Sequence, residues 1–162
     1  MFIKGVLFLK RTFFQLFAAF WVGAIAYGSV EVIERGYSHI SMACLGGISM
    51  VAIHLLNDDR RSGAHTLPLL ILSSLFITSL EFLAGEILNV YLKMHIWSYS
   101  GMAYNIDGVI CLSYTGCWLL LSFAGMVIDD LMRWQMFRER ADFYYIIRRK
   151  ARRPSAEGAV SP

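Results

Sequence analysis

Polar side chains that can hold a small solute or an ion recur within the apolar parts of this sequence. Carboxylate, amide and hydroxyl groups are common ligands of polar solutes and cations, and tyrosine and tryptophan add donors carried on aromatic rings. A charged residue inside a bilayer costs about 2.5–3.5 kcal/mol on insertion scales, so it must face other helices, be paired or be neutral. The candidate binding residues are Glu31, Glu81, Asn89, Trp97, Tyr99, Ser100 and Asn105.

Glu81 is the strongest of these candidates because of its depth. It follows a run, residues 62–80, that contains no Asp, Glu, Lys or Arg, and it precedes the mainly apolar segment 82–92. We expect Glu81 to face the inside of a helix bundle, close to Glu31 and Arg35. A salt bridge between Arg35 and one of the glutamates is the alternative to a ligand role.

Other chemistries lack the residue patterns that they need. Cys44, Cys111 and Cys117 are odd in number and do not have the Cys-x-x-Cys or Cys/His spacing of a zinc site. A GxxxxGK[ST] phosphate loop is absent from the sequence, so ATP hydrolysis by that route would need a second polypeptide. We therefore predict no catalytic residue, no metal and no cofactor, and we do not expect the chain to be an enzyme.

The composition indicates that membrane helices position the candidate residues. The chain has 162 residues, of which 57% are hydrophobic and 17% are charged, a balance that is unusual for a soluble domain. A spanning helix needs about 20 mainly apolar residues, and four segments reach that length. We predict an all-α, polytopic membrane protein with four spans, over residues 12–33, 39–57, 66–92 and 108–131.

Small and polar residues recur at steps of three or four in every predicted span. Such stripes lie on one face of a helix, and small residues there let helices pack closely in lipid. The stripes contain, in chain order, Glu31, His54, Glu81 and Asp129. The spacing fits helix packing alone as well as a polar pocket between the helices.

The basic residues predict the orientation in the membrane. Of the 15 Lys and Arg residues, only Arg35 and Lys93 fall after the first and third spans, and the other 13 lie on the side of both termini. Positive flanks are retained on the cytoplasmic side, so we expect both termini to be cytoplasmic. The basic residues thus indicate topology rather than a nucleic-acid partner.

The end of the fourth span carries its own charge pattern. Asp129 and Asp130 are followed by Arg133 at helical spacing, and we expect an exposed ion-pair cap there. His54 is expected at the cytoplasmic interface or surface. The predicted domains are a transmembrane domain over 1–137, a basic interfacial helix over 138–151 and a disordered tail over 152–162.

Two segments carry motifs that match a known family. Leu80–Leu112 contains Glu-aromatic-x-x-Gly, then Trp-x-Tyr-Ser, then Asn-x-x-Gly-x-Ile-Cys-Leu; Gly23–Gly47 contains Arg-Gly-x-Ser-His-x-Ser-Met and ends in Gly-Gly. In these motifs the chain resembles the ABC-transporter type IV permease family, the CmpB-like small membrane proteins. One position departs from the family pattern: Ser98 stands where the family has Asp between Trp and Tyr. The change removes a cation ligand if the family's Asp binds one, whereas Ser can replace an Asp that only caps a turn.

The resemblance implies a multi-pass protein of the bacterial cytoplasmic (inner) membrane that acts as a permease or permease subunit. An outward-facing polar pocket, formed by the candidate residues, would then receive a small solute or ion. Since four short helices enclose little volume, we expect the partners to be the lipid bilayer, a homo-oligomer or other membrane subunits, and a separate ATPase chain. The alternative is a non-transporting membrane scaffold or envelope-assembly protein whose polar stripes only hold the helices together.

Overall fold

The computed structural model describes residues 2–140, which form four long helices. The helices are α1 (Phe2–Arg35), α2 (Ile40–Ser62), α3 (Thr66–Gly85) and α4 (Leu112–Phe137). A π-helical segment, Glu86–Tyr91, extends α3, and a short antiparallel hairpin of β1 (Asn105–Ile106) and β2 (Ile110–Cys111) precedes α4. The stretches long and apolar enough to cross a membrane are Arg11–Arg35, Ile40–Ser62, Thr66–Tyr91 and Leu112–Phe137. The predicted all-α architecture with four spans is confirmed.

Glycines and a capping histidine set the bounds of α2. Gly36 has a φ of 78° after α1, a left-handed conformation that glycine adopts at little cost. His39 then precedes α2, and its side chain accepts a hydrogen bond from the backbone N–H of Ser41. Gly63, with a φ of 113°, ends the helix. Because α2 runs to Ser62, it is longer than the predicted span, which ended at Asn57.

The connection between α3 and α4 is longer than the sequence predicted. We call residues 92–111 the long loop. The predicted fourth span starts at Gly108, whereas α4 starts at Leu112, because Gly108 has a φ of 69° and lies in the turn between β1 and β2. The loop packs against α3 at Gly85, where an added Cβ would lie 2.5 Å from the Cβ of Val109.

Close helix packing depends on glycines between α1 and α2. A Cβ added at Gly46 would lie 2.8 Å from the carbonyl oxygen of Gly23, and one added at Gly47 would lie 2.6 Å from the ring of Phe20. In lipid, helices associate mainly through such close packing and through hydrogen bonds. The glycines on the predicted stripes therefore have a structural role.

An apolar layer occupies the middle of the bundle. Its buried side chains come from α2, α3 and α4, and they are Ile53, Leu69, Ile77, Trp118 and Met126. Many of the large apolar side chains on the outer faces, such as Phe13, Leu75 and Leu120, are exposed, as expected for surfaces that contact lipid. A polar cluster lies on each side of the apolar layer.

The N-terminal part of α1 and the C-terminal end of α4 lie at the same end of the bundle. The Arg11 guanidinium donates to the carbonyl oxygen of Phe137 at 3.2 Å and to the Glu139 carboxylate at 3.0 Å. We call this the terminal end, and the opposite end, which carries the long loop, the loop end. Arg138 has a left-handed backbone and ends α4. The basic helix predicted over 138–151 therefore does not continue α4 without a break, and the rest of it, with the predicted tail, lies outside the described residues.

Candidate functional site

Glu81 lies at the centre of a polar cluster in the loop-end half of the bundle. Its side chain is only 4% exposed. One carboxylate oxygen accepts a hydrogen bond from the Tyr99 hydroxyl at 2.8 Å, and the other accepts one from the Trp118 indole N–H at 2.8 Å. Among the side chains that the structure describes, those of residues 11–140, Glu81 forms no ion pair with Lys, Arg or His. The carboxylate is thus held by two neutral donors.

Tyr99 brings the long loop down onto Glu81. Its ring stacks on Tyr114 of α4, with centroids 4.5 Å apart and planes at 25°. Burial is the main cause that raises the pKa of the Tyr99 hydroxyl well above its usual value, and the nearby charge of Glu81 raises it further. Tyr99 therefore stays a neutral hydrogen-bond donor to Glu81 at physiological pH.

A small cavity adjoins Glu81. Its volume is about 20 Å³, which is roughly the room that one water molecule needs. The lining residues are Tyr27, Leu45, Gly46, Ser49, Ile77, Glu81 and Trp118. Three of these lining residues carry an oxygen-bearing side chain: Tyr27 and Ser49 have hydroxyl groups, and Glu81 has the carboxylate.

Two of the predicted binding residues, Asn89 and Trp97, hold the long loop in place instead of lining the cavity. The Asn89 side chain donates to the carbonyl oxygen of Trp97 at 3.0 Å and accepts from the backbone N–H of Ile96 at 2.7 Å. The Trp97 indole N–H donates to the carbonyl oxygen of Val109 at 2.9 Å. Asn89 lies in the π-helical segment, and such segments often mark functional positions in helices.

Ser100 and Asn105 belong to the turns of the long loop. The Asn105 amide donates to the carbonyl oxygen of Met102 at 2.7 Å, and its oxygen accepts from the N–H of Gly108 at 3.1 Å. The Ser98 and Ser100 hydroxyl oxygens lie 3.0 Å apart on the exposed side of the loop. Ser98 thus makes a local turn contact, and none of these three side chains lines the cavity.

Glu31 forms a separate ion pair at the loop end. It contacts the Arg35 guanidinium and accepts from the Ser38 hydroxyl at 2.7 Å. Arg35 in turn donates to the carbonyl oxygen of Ile96 at 2.8 Å. The salt bridge that we gave as an alternative is therefore formed by Glu31, and it links α1 to the long loop without reaching Glu81.

A second polar cluster, which we call the buried ionic network, lies at the terminal end. Its side chains are at most 5% exposed, and they are His54, Asn57, Arg60, Asp129, Asp130 and Arg133. Asp129 lies 2.6 Å from His54 Nδ1 and accepts from the Asn57 amide at 2.8 Å. Arg133 Nε also donates to Asp129 at 2.8 Å, while its Nη2 lies against the His54 ring. Asp129 thus links α4 to α2, because it contacts His54 and Asn57 of α2 as well as Arg133 of its own helix.

Asp130 forms the other half of the network. It accepts from Arg60 at 2.6 Å and from Arg61 at 3.0 Å. The Asn57 amide lies between the two aspartates, since it donates to both and its oxygen accepts from Arg60 at 2.6 Å. Each aspartate is therefore matched by at least one arginine in a region that excludes water.

Glu139 extends these contacts to α1. It accepts from Gln15 at 2.6 Å and forms ion pairs with Arg11, Arg61 and Arg133. Partial burial acts in the opposite direction, but the Gln15 hydrogen bond and the three guanidinium charges together hold the pKa of Glu139 below its usual value. Residues from three helices thus meet at the terminal end.

Sequence reasoning missed the buried ionic network. The ion pair predicted between Asp129 and Arg133 is formed, but the exposure expected for Asp129 and Asp130 is wrong, and so is the surface position expected for His54, because all three side chains are buried. Both α2 and α4 extend beyond their apolar runs, and their charged faces turn toward each other. The helical spacing of His54, Asn57 and Arg60 on α2 was the signal that could have revealed this face.

Comparison with known proteins gives one family match. A family model described as "Putative ABC-transporter type IV" matches residues 12–147. No curated protein and no solved structure gives a match. The matched range includes both polar clusters, and it agrees with the resemblance that the sequence motifs indicated.

Proposed function

Since the chain belongs to this ABC-transporter type IV family, we propose that it is a small permease or permease subunit whose cluster at Glu81 receives a small solute or ion. The observation that carries the proposal is a buried carboxylate, 4% exposed, that only neutral groups hold among the described side chains of residues 11–140. A charge in an apolar interior is costly without an opposite charge. A bound solute or ion would supply that charge, and an ionisable residue inside a membrane is a candidate functional residue for this reason.

In this proposal, the chain is one subunit of a transporter and not a complete transporter. The cavity beside Glu81, at about 20 Å³, is far smaller than the pockets of roughly 300–1,000 Å³ that hold small organic ligands. A continuous pathway would therefore require other copies of the chain or other membrane subunits in the bilayer. A separate ATPase chain would supply energy, because the proposed role of this chain is not enzymatic.

The proposed location is the bacterial cytoplasmic membrane, with the terminal end on the cytoplasmic side. Arg11, Arg60, Arg61 and Arg133 all lie at the terminal end, whereas Arg35 lies at the loop end. This distribution supports the orientation, since positive residues are retained in the cytoplasm. The cluster at Glu81 would then open toward the outside of the cell.

A second candidate function is a membrane scaffold, and the buried ionic network favours it. Within the described part of the chain, its carboxylates are all paired with guanidinium groups. A network of this kind can fix the arrangement of helices without taking part in transport. In that case the stripes and the long loop would serve to bind another membrane protein.

The two functions can be separated in cells that lack the gene. The deletion strain is complemented with the wild type, Glu81→Gln or Glu86→Gln, and the ions and metabolites of the cells are measured by mass spectrometry. Glu86 is the matched control, because it is a glutamate five residues further along the chain, at the start of the π-helical segment, and does not line the cavity. The permease proposal expects Glu81→Gln, present at the wild-type level, to leave the deletion profile unchanged while Glu86→Gln restores it.

Purification of the three tagged proteins in mild detergent supplies the second readout. If Glu81→Gln restores the wild-type profile and co-purifies with the same membrane proteins as the wild type, the scaffold function is correct and the permease proposal is overturned. An ATPase chain that co-purifies with the wild type would support the permease proposal.

A further inference from the structure

We infer that the ion received by the cluster at Glu81 is a proton, carried by the Glu81 carboxyl group itself. The inference rests on the proposed function, because it names the ion that this site would take up. The carboxyl group is 4% exposed, and its two oxygens already accept from Tyr99 and Trp118. The adjoining cavity, at about 20 Å³, has room for roughly one water molecule. A proton needs no shell of ligands and no larger cavity, so this geometry accommodates it without rearrangement of the helices.

The charge of the site also favours a proton. Among the described side chains of residues 11–140, Glu81 has no ion pair, and an unpaired charge in an apolar interior is costly. Protonation removes that charge and leaves a neutral group that still forms hydrogen bonds. Arg35, which lies at the same end of the bundle, is paired with Glu31. A proton thus supplies the positive charge that the described side chains do not supply.

The titratable groups that surround Glu81 do not compete for this proton. Within the part of the chain whose side chains are described, they are phenols from three elements: Tyr27 of α1, Tyr99 of the long loop and Tyr114 of α4. From α2 and α3, the other residues that line the cavity are Leu45, Gly46, Ser49 and Ile77, none of which titrates. Farther along α1 lie Glu34 and the Glu31–Arg35 ion pair. Because a phenol keeps its proton up to about pH 10, Glu81 is the member of the cluster that changes charge at lower pH.

The two donors to Glu81 respond differently to its protonation. A tyrosine hydroxyl can donate or accept a hydrogen bond, whereas an indole N–H can only donate. The O–H of a protonated carboxyl group needs an acceptor, so it fits the oxygen that faces Tyr99, Oε1, and not the oxygen that faces Trp118, Oε2. The Tyr99 hydroxyl then accepts from Glu81 instead of donating to it. One proton is added and one hydrogen bond reverses, while the bond from Trp118 is kept.

Reversal of this bond weakens the hold of the long loop on α3. The bond from Tyr99 to an ionised carboxylate is charge-assisted, and such bonds are roughly twice as strong as neutral ones. The contacts of the loop with Asn89 and Arg35 do not involve Glu81, so the change is confined to the segment around Tyr99. Tyr99 reaches Glu81 from the loop end, and the apolar layer separates Glu81 from the terminal end. In this conformation the proton therefore enters and leaves at the loop end.

Infrared spectroscopy of the purified full-length protein in detergent tests the inference. A protonated carboxyl group has a carbonyl stretching band that the carboxylate lacks, and difference spectra are recorded between about pH 4 and about pH 9, the range in which exposed and buried glutamates titrate. We expect one component of this band to appear as the pH falls in the wild type and in the control Glu86→Gln, and to be missing from Glu81→Gln. The indole N–H resonance of Trp118 gives a second readout, because in the wild type it should follow the same titration.

Two tyrosine variants locate the bound proton. Tyr99→Phe removes a donor to the ionised carboxylate, so Glu81 should bind the proton about tenfold more tightly, the factor that corresponds to about 1.4 kcal/mol. Tyr114→Phe is the matched control and should titrate like the wild type, because its ring stacks on Tyr99 while the donors to Glu81 are Tyr99 and Trp118. Both variants keep Glu81 and nearly the shape of the site, so they test the inference even if Glu81→Gln folds poorly.

Two results would overturn the inference. One is a Glu81 carboxyl group that stays in a single form over the whole pH range, seen as the same carboxyl bands in the wild type and Glu81→Gln, and the other is an equal proton affinity in the wild type and Tyr99→Phe. Either result leaves the permease proposal to its own test in cells, where another solute could depend on Glu81. Conversely, titration of Glu81 in vitro together with a normal cellular profile for Glu81→Gln would support the proton site and overturn the permease proposal.

Discussion

Replacement of Asp129 by Asn tests the buried ionic network most severely. Asp129 is fully buried and accepts from Asn57 and from Arg133, and it also pairs with His54. The variant keeps the shape of the side chain but leaves the buried Arg133 guanidinium without this counter-charge. Removal of one partner from a buried ion pair typically costs about 3–5 kcal/mol, so we expect a loss of about 3 kcal/mol in the free energy of unfolding.

Asp58→Asn is a matched control because Asp58 contacts the same arginine. Its carboxylate lies 2.7 Å from Arg133 Nη1, but its side chain is 53% exposed. Exposed ion pairs contribute about 0–1 kcal/mol, so this variant should lose at most about 1 kcal/mol. The two substitutions make the same chemical change around one guanidinium and differ in burial.

Unfolding of the two variants and the wild type in mixed micelles with increasing SDS provides the measurement. The free energy of unfolding is extrapolated to zero SDS for each protein, with helix content followed by circular dichroism. Equal losses for Asp129→Asn and Asp58→Asn, or a loss below about 1 kcal/mol for Asp129→Asn, would refute the reasoning that burial makes this network a major source of stability.

Three further outcomes follow from named contacts. Because the folded-state pKa of Glu139 is lowered, its stabilising effect is complete above the unfolded value of about 4.3 and is lost as pH falls through the folded value; unfolding of the wild type should therefore depend on pH below about 4.3 more steeply than that of Glu139→Gln. Gly85→Leu forces a side chain into the long loop and should cost about 1–3 kcal/mol, whereas Gly116→Leu, with nothing near its added Cβ, should show no comparable loss in the same SDS titration. Asn89→Ala removes a buried acceptor from the backbone N–H of Ile96 and should speed hydrogen exchange of that amide about fivefold, for a bond worth about 1 kcal/mol; unchanged exchange would contradict this role.

The membrane architecture could be predicted because it depends on length and apolarity. The runs around α1 and α3 are long enough to span a bilayer, and the hydrocarbon core permits few structures other than helices there. The burial of Glu81 followed from the same reasoning, since a carboxylate at that depth cannot face lipid without a large cost. Its partners could not be predicted, because Tyr99 reaches it from a loop with an irregular backbone.

The terminal end shows the limit of this approach. Charged residues at the end of an apolar run normally indicate that the helix leaves the membrane, which is why Asp129 and Asp130 were expected to be exposed. Their burial depends on α2, which continues to Ser62 and presents Asn57 and Arg60 to α4. Such convergence of two charged helix faces is a tertiary property that the sequence of one helix does not contain.

The long loop was similarly beyond sequence reasoning. Asn105 was a candidate ligand, yet its side chain closes the turn at Gly108, before α4 begins after Cys111. Asn89 was a candidate ligand in a regular helix, but a π-helical segment directs it to the loop backbone. Local spacing identified both residues as important without identifying what they contact.

The indole N–H resonance of Trp118 tests most directly whether Glu81 faces the inside of the bundle. Among the 4 tryptophans of the chain, Trp118 is assigned by the signal lost in Trp118→Phe, and spectra are recorded with ¹⁵N-labelled protein in micelles. Since this N–H donates to the Glu81 carboxylate at 2.8 Å, its resonance should move strongly in Glu81→Gln and stay in place in Glu86→Gln. A Trp118 resonance that is identical in the wild type and Glu81→Gln would contradict the position of Glu81 on which the proposed site depends.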